Sequence, residues 1–139
     1  MPNITTVNDL QGKTEGVAIT AGNDGFIGNN AGVGASTSAP TTSANTANVT
    51  YKVNSLIVGN NNATTGAAVT IAFETPDNPT TPTAFDPFPF VTAIDIPAKA
   101  SLDVLSAPIY LNDQERLKIS VTGADVDVVA SYEQLTTTS

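Results

Sequence analysis

From residue 49 onward, apolar and polar residues alternate along the chain with a period of two. The alternation is regular in residues 67–74, 117–121 and 126–132. A period of two places successive side chains on opposite faces of a β-strand. Turn-forming residues separate these segments, and none has a helical period. We therefore predict an all-β fold, an antiparallel β-sandwich of about seven strands over residues 49–135, with Greek-key or jelly-roll connections left open.

Strict alternation makes a definite prediction for the first of these strands. It places Tyr51, Val53 and Ile57 on one face, and Leu56 and Val58 on the other. The next apolar run follows an Asn-rich turn. The two segments are therefore predicted to form a hairpin with a long loop.

The first 48 residues differ in composition from the rest. Gly, Ala, Ser, Thr and Asn dominate residues 1–48, and the one strand-like run in their first half is 16–20. Such a segment buries too little apolar area to offset the entropy lost on ordering. We predict an extended N-terminal arm that becomes ordered on a neighbouring subunit, with Phe26 and Ile27 as contact residues. The alternative is a frayed terminus without a role, and the tail 136–139 is also predicted to be loose.

A proline-rich segment interrupts the strand pattern. Residues 75–89 contain five prolines, and proline lacks the N–H that a sheet ladder requires. We therefore predict an extended loop. Phe85, Phe88 and Phe90 cluster at its end. They either pack on the domain's own core or contact a partner protein.

The composition excludes several kinds of catalysis. The chain has no His and no Cys, so Ser-His and Cys-His nucleophile pairs and His- or Cys-based metal sites are absent. We predict a protein that is not an enzyme. The alternative is a hydrolase that uses Asp95 and Asp103 as a carboxylate pair. Asp125 and Asp127 share the polar face of one strand and are interpreted as solvated surface.

The charge pattern bears on ligands. The net charge is −8 and only five residues are Lys or Arg, which disfavours nucleic acid and anionic membranes as partners. No apolar run approaches the ~20 residues of a membrane span, and the N-terminus lacks the features of a signal peptide. Calcium is the best metal candidate, at residues 23–25 or 77–78, but turn chemistry explains both segments. We predict no cofactor and no metal.

Five stretches of the chain follow a common order of strands and turns: 51–61, 68–73, 96–104, 108–121 and 128–135. They include a strand that leads into an Asn-rich turn, an apolar-Pro-Ala connection, a Pro-Ile-x-Leu hairpin and a closing Ser-Tyr-Glu strand. In this pattern the chain resembles small virion proteins of tailed bacteriophages, and the likeness covers about residues 50–135.

This resemblance implies a β-sandwich or jelly-roll module on a phage particle, assembled in the host cytoplasm. Such modules commonly serve as capsid decoration (cement) proteins, often trimeric, which bind the major capsid protein or another virion protein. An extended arm over residues 1–48 fits that role. The alternative is a neck, tail or fibre component, which includes receptor-binding adhesins. Sugar would then bind in loops such as 60–66 or 113–115.

Overall fold

The computed structural model describes residues 7–28, 32–36, 49–78, 84–112 and 115–137. These residues contain no α-helix, and so none long and apolar enough to cross a membrane. They form ten β-strands: β1 (Val7–Ile19), β2 (Asp24–Gly28), β3 (Gly32–Ser36), β4 (Val49–Gly59), β5 (Ala67–Pro76), β6 (Phe85–Ile96), β7 (Ser101–Asp103), β8 (Ile109–Leu111), β9 (Arg116–Thr122) and β10 (Val126–Thr137).

The strands form two antiparallel sheets. In sheet A the order is β1-β10-β4, and the short strands β7 and β8 both pair with the remaining edge of β4. In sheet B the order is β3-β2-β9-β5-β6. The pairs β1 with β10, β2 with β9, β4 with β7 and β8, and β5 with β6 are those of one long hairpin wrapped over two sheets, which is a jelly roll. The prediction of an antiparallel β-sandwich is confirmed, and its connections, which the sequence left open, are those of a jelly roll. Seven of the ten strands, β4–β10, lie in the part of the chain predicted to hold about seven, and β1–β3 are additional strands before it.

The core lies between the two sheets and follows the predicted alternation in β5, β9 and β10. The inward-facing side chains of these strands are fully or almost fully buried, and aliphatic residues of β4 complete the layer from sheet A. These residues include Leu56, Val58, Val69, Ile71, Leu117, Ile119, Val121 and Val128.

A β-bulge in β4 corrects the faces predicted for that strand. Tyr132 pairs with Val53 and Ser131 pairs with Ser55, so Asn54 is the extra residue. A bulge moves all later side chains to the opposite face. Val53 and Leu56 therefore both point into the core, while Ile57 points outward and is exposed. The prediction that Ile57 shares a face with Val53 was wrong.

Strands β1 and β2 correct the predicted arm. β1 pairs with β10 from Val7 to Ile19, and β2 lies between β3 and β9 inside sheet B. Backbone ladders need few large side chains, so a Gly- and Thr-rich segment can still add strands to an existing sheet. The arm prediction is wrong for residues 7–28 and 32–36, and its other parts lie outside the described residues. β10 also continues to Thr137, two residues into the tail predicted to be loose.

Strand β6 replaces the second half of the predicted proline loop. It begins at Phe85, so Pro87 and Pro89 belong to a strand. This is allowed because β6 is the edge of sheet B, where a missing N–H leaves no ladder bond unmade. The strand bulges at Phe90, and again near Ala93, whose φ is 46°. The Ala93 N–H donates to Thr70 Oγ1 at 2.9 Å instead of to the ladder.

Candidate protein-binding surface

The structure separates the five aromatic and aliphatic residues predicted to contact a partner. Phe26 and Ile27 are only 2% and 1% exposed, whereas Phe88 and Phe90 are 57% and 43% exposed. Phe85 is half-buried. Phe26 and Ile27 lie on a strand inside sheet B and not on a free arm, which corrects the expectation that they contact a partner. A contact role for Phe88 and Phe90 stays a prediction, now supported by their exposure.

Phe26 and Phe85 instead enclose a buried ion pair on the outer face of sheet B. Arg116 and Glu74 are directly paired in the ladder, and Arg116 Nε lies 2.8 Å from Glu74 Oε1. The Arg116 Cζ atom lies 4.4 Å from the centroid of the Phe26 ring and 3.7 Å from that of the Phe85 ring. A guanidinium between two aromatic faces gains cation–π attraction. These two aromatic rings therefore help to connect β2, β9, β5 and β6 within sheet B.

Gly28 allows this cluster to form. It pairs with Arg116 across β2 and β9. A Cβ atom at Gly28 would lie 2.6 Å from the Arg116 Cα and 2.6 Å from the Glu115 carbonyl oxygen. Both are backbone atoms that cannot move aside, so this position requires glycine.

Phe88 and Phe90 lie on one lateral side of the sandwich, which we call the open side: strand β6 on sheet B and residues 101–111 on sheet A. Here Phe88 packs partly on Phe73, with ring centroids 6.4 Å apart. Beside Phe90 is a groove of about 290 Å³. Six of its seven lining residues are apolar: it is lined by Phe90, Val104, Leu105, Ser106, Ala107, Pro108 and Ile109.

Neither sheet edge on the open side is suited to pairing with a strand from another protein. β6 has two prolines without N–H groups and two bulges. β7 and β8 are three residues each and are separated by 104–108. Prolines, bulges and short strands are the means by which proteins block edge-to-edge association. A partner on this side would therefore bind through side chains.

Sequence reasoning missed the second wall of the groove. The run 104–108 connects two short strands and is polar in only one position, Ser106. An apolar run that continues through a connection is a signal that could have identified it. Its position opposite Phe90 depends on the pairing of β7 and β8 with β4, which no local pattern contains.

A second, polar depression of about 460 Å³ lies at the end of the sandwich where β1 meets β2, β4 meets β5 and β9 meets β10. Thr20, Asn61, Asn62, Asp125 and Asp127 supply its polar side chains. The Asp125 carboxylate accepts the Ala21 N–H at 2.9 Å, and Asn61 donates to Asp127. These carboxylates are exposed, as the sequence predicted.

The two carboxylates considered as a hydrolase pair do not lie together in one sheet. Asp95 is on sheet B and Asp103 on sheet A, so they are not neighbours in one sheet. The Asp103 carboxylate accepts the N–H groups of Leu56 and Leu105, as in a structural turn. Within the described ranges, no three His, Cys, Asp or Glu residues are grouped to hold a metal ion.

Two tyrosines of sheet A have perturbed acidity. The ring centroids of Tyr51 and Tyr132 are 5.2 Å apart. Burial raises the pKa of both phenols. For Tyr132 a hydrogen bond to Glu15 and the negative charge of that carboxylate raise the pKa further, and for Tyr51 the Glu15 charge adds to burial. Both phenols are therefore neutral in the folded protein well into the alkaline range.

We expect the free energy of unfolding to fall above about pH 10, the ordinary tyrosine pKa. There the unfolded chain releases phenolic protons that the folded chain retains, so the stability these tyrosines provide below that pH is lost as the pH rises through the folded-state pKa values. Urea unfolding at pH 8 and pH 11 should show a smaller loss for Tyr132→Phe than for the wild type. Tyr110→Phe, at a 52% exposed position, should behave as wild type. An unchanged loss in Tyr132→Phe would contradict this account.

No protein-family model and no curated protein sequence matches this chain.

Proposed function

We propose that this chain is a non-enzymatic structural protein of a tailed-bacteriophage particle, which decorates the capsid shell by binding the major capsid protein. The single observation that carries this proposal is the exposed apolar surface of the open side. Phe88 and Phe90 remain exposed there, beside an apolar groove. Contiguous exposed apolar surface of this kind is typical of protein–protein contact sites.

The fold and the sequence resemblance support the same role. A jelly roll is rigid, and this one blocks both strand edges on the side that carries the aromatic residues. A rigid module that docks by side chains suits attachment to a preformed surface. Because it would bind the assembled shell and not the free subunits, each bound copy would oppose disassembly by mass action. Association of this chain into a trimer remains a prediction.

The alternative is a neck, tail or fibre component with a receptor-binding function. The polar depression at the turn end favours it, because Asn61, Asn62, Asp125 and Asp127 offer the amide and carboxylate groups that bind sugar hydroxyls. Asn61 and Asn62 belong to the loop 60–66, which is one of the loops where sugar binding is predicted under this alternative.

Quantitative mass spectrometry of purified particles tests the proposal. We expect this chain in a fixed ratio to the major capsid protein across the whole shell. Particles made without it should release their genome at a lower temperature. A small copy number confined to one vertex would support the alternative, and complete absence from the particle would overturn both.

A further inference from the structure

We infer that the groove on the open side binds a large apolar side chain from a basic segment of the partner protein. This inference rests on the proposed function and specifies the chemistry of the segment that this chain recognises on the shell. Three observations support it: the volume and lining of the groove, the blocked strand edges, and the charge of strands β6, β7 and β8.

The groove fits a side chain better than a small-molecule ligand. Its volume of about 290 Å³ is at the lower limit of the ~300–1,000 Å³ typical of ligand pockets. Ser106 supplies the one polar side chain in the lining. Phe90 forms one wall and remains 43% exposed, so part of its ring is free to be covered. An inserted apolar side chain would bury this ring and displace water from the groove.

The charge of the strands on the open side indicates what charge the partner residues next to the inserted side chain should have. β6, β7 and β8 carry Asp86, Asp95 and Asp103 and contain no Lys or Arg. Lys99 lies in the turn between β6 and β7. Elsewhere Lys52 and Lys118, like Arg116, are in ion pairs with acidic residues. A partner segment with Lys or Arg beside its apolar residue is therefore electrostatically complementary.

The same charge argues against a second copy of this chain as the occupant. Each copy has a net charge of −8, so apposed copies would bring like charges together. The proline-containing, bulged edge of β6 also prevents the sheets of two copies from joining there.

Binding of the purified protein to capsid shells prepared without it tests the inference. Ala107→Trp should fill the groove from an exposed position, and Phe90→Ser should remove one wall. We expect each to weaken binding more than about tenfold, as for residues at the centre of an interface. Leu10→Ser, at a 59% exposed apolar position on β1 at the opposite edge of sheet A, is the control and should bind as wild type. Circular dichroism checks that each variant is folded.

The electrostatic part is tested separately. Asp86→Asn combined with Asp95→Asn should weaken binding several-fold and make it less sensitive to salt, because two exposed charges on the strand that carries Phe90 are removed. Asp125→Asn combined with Asp127→Asn removes the same charge at the turn end and should leave binding unchanged. Equal effects of the two double variants would contradict a basic partner segment.

The outcomes distinguish the two proposals. If the wild type does not bind shells, the proposed function fails. If the wild type binds and Ala107→Trp and Phe90→Ser bind equally well, the proposed function stands and the groove is not the site. A dimer in sedimentation that Ala107→Trp abolishes would identify a second copy as occupant. A photoreactive residue at position 107 should cross-link to a shell peptide with Lys or Arg near an apolar residue, and cross-linking to an acidic peptide would overturn the inference.

Discussion

Replacing Arg116 with methionine is expected to lower the free energy of unfolding by about 3–5 kcal/mol. The side chains of Arg116 and Glu74 are only 3% and 7% exposed, and they form a hydrogen-bonded ion pair. Removal of the guanidinium leaves the Glu74 carboxylate buried without its partner, and the stacking on Phe26 and Phe85 is lost. Methionine keeps much of the volume, so the loss reports mainly the charge.

Lys118→Met provides the matched control for this prediction. Lys118 is on the same strand and outer face, and its Nζ lies 3.6 Å from Asp24 Oδ2, but both side chains are substantially exposed. Exposed pairs contribute about 0–1 kcal/mol. Denaturant unfolding should therefore separate the two variants clearly. The double variant Glu74→Met and Arg116→Met should regain part of the loss, because no unpaired charge remains. A loss in Arg116→Met no larger than that in Lys118→Met would contradict a structural role for the pair.

Replacing Asn60 with alanine is expected to destabilise the fold by about 2–3 kcal/mol, the effect of leaving buried hydrogen-bonding groups unpaired. Asn60 is almost completely buried. Its Nδ2 donates to the carbonyl oxygens of Thr65 and Ile96, at 2.9 and 3.0 Å, and its Oδ1 accepts the Asn62 N–H at 3.0 Å. One amide side chain thus joins the end of β4 to the following loop and to the end of β6.

Asn62→Ala is the matched control in the same loop. Asn62 is exposed, and its Oδ1 accepts the N–H groups of Thr64 and Thr65. Water can replace the Asn62 side chain, so we expect a loss of less than about 1 kcal/mol. The urea midpoint should fall for Asn60→Ala without a change in the slope of the transition. Similar midpoints for the two alanine variants would show that Asn60 does not connect these elements.

The predictable parts of the fold are those in which the side-chain pattern alone determines where a strand lies and which face points inward. Over 67–73 in β5, 117–121 in β9 and 126–132 in β10, each inward position is apolar, so period-two alternation identified both strand and face. It failed in β4, where Asn54 and Ser55 are both polar and give no sign of which one bulges. It also failed in β1 and β2, where pairing with distant β10 and β9 determines the structure.

The sequence predicted the aromatic residues of the candidate surface, but not which of them are exposed, because exposure also depends on distant strands. Phe85, Phe88 and Phe90 follow one another in the sequence, yet only Phe85 meets Arg116, which lies on another strand. Exposure of Phe88 and Phe90 follows from their position on an edge strand, and edge position is a property of the sheet order. The local sequence shows where the aromatic residues are, but not which of them stacks on a buried cation from another strand.

The strand order also has a consequence for biosynthesis. β9 lies between β2 and β5, and β10 lies between β1 and β4, so the two latest strands occupy interior positions in both sheets. Neither sheet can be completed until residues 116–137 have left the ribosome. Pairings between such distant parts of a chain form slowly. Completion of both sheets must therefore follow synthesis of residues 116–137, and a stop codon just before Val126 would release a chain that cannot assemble sheet A.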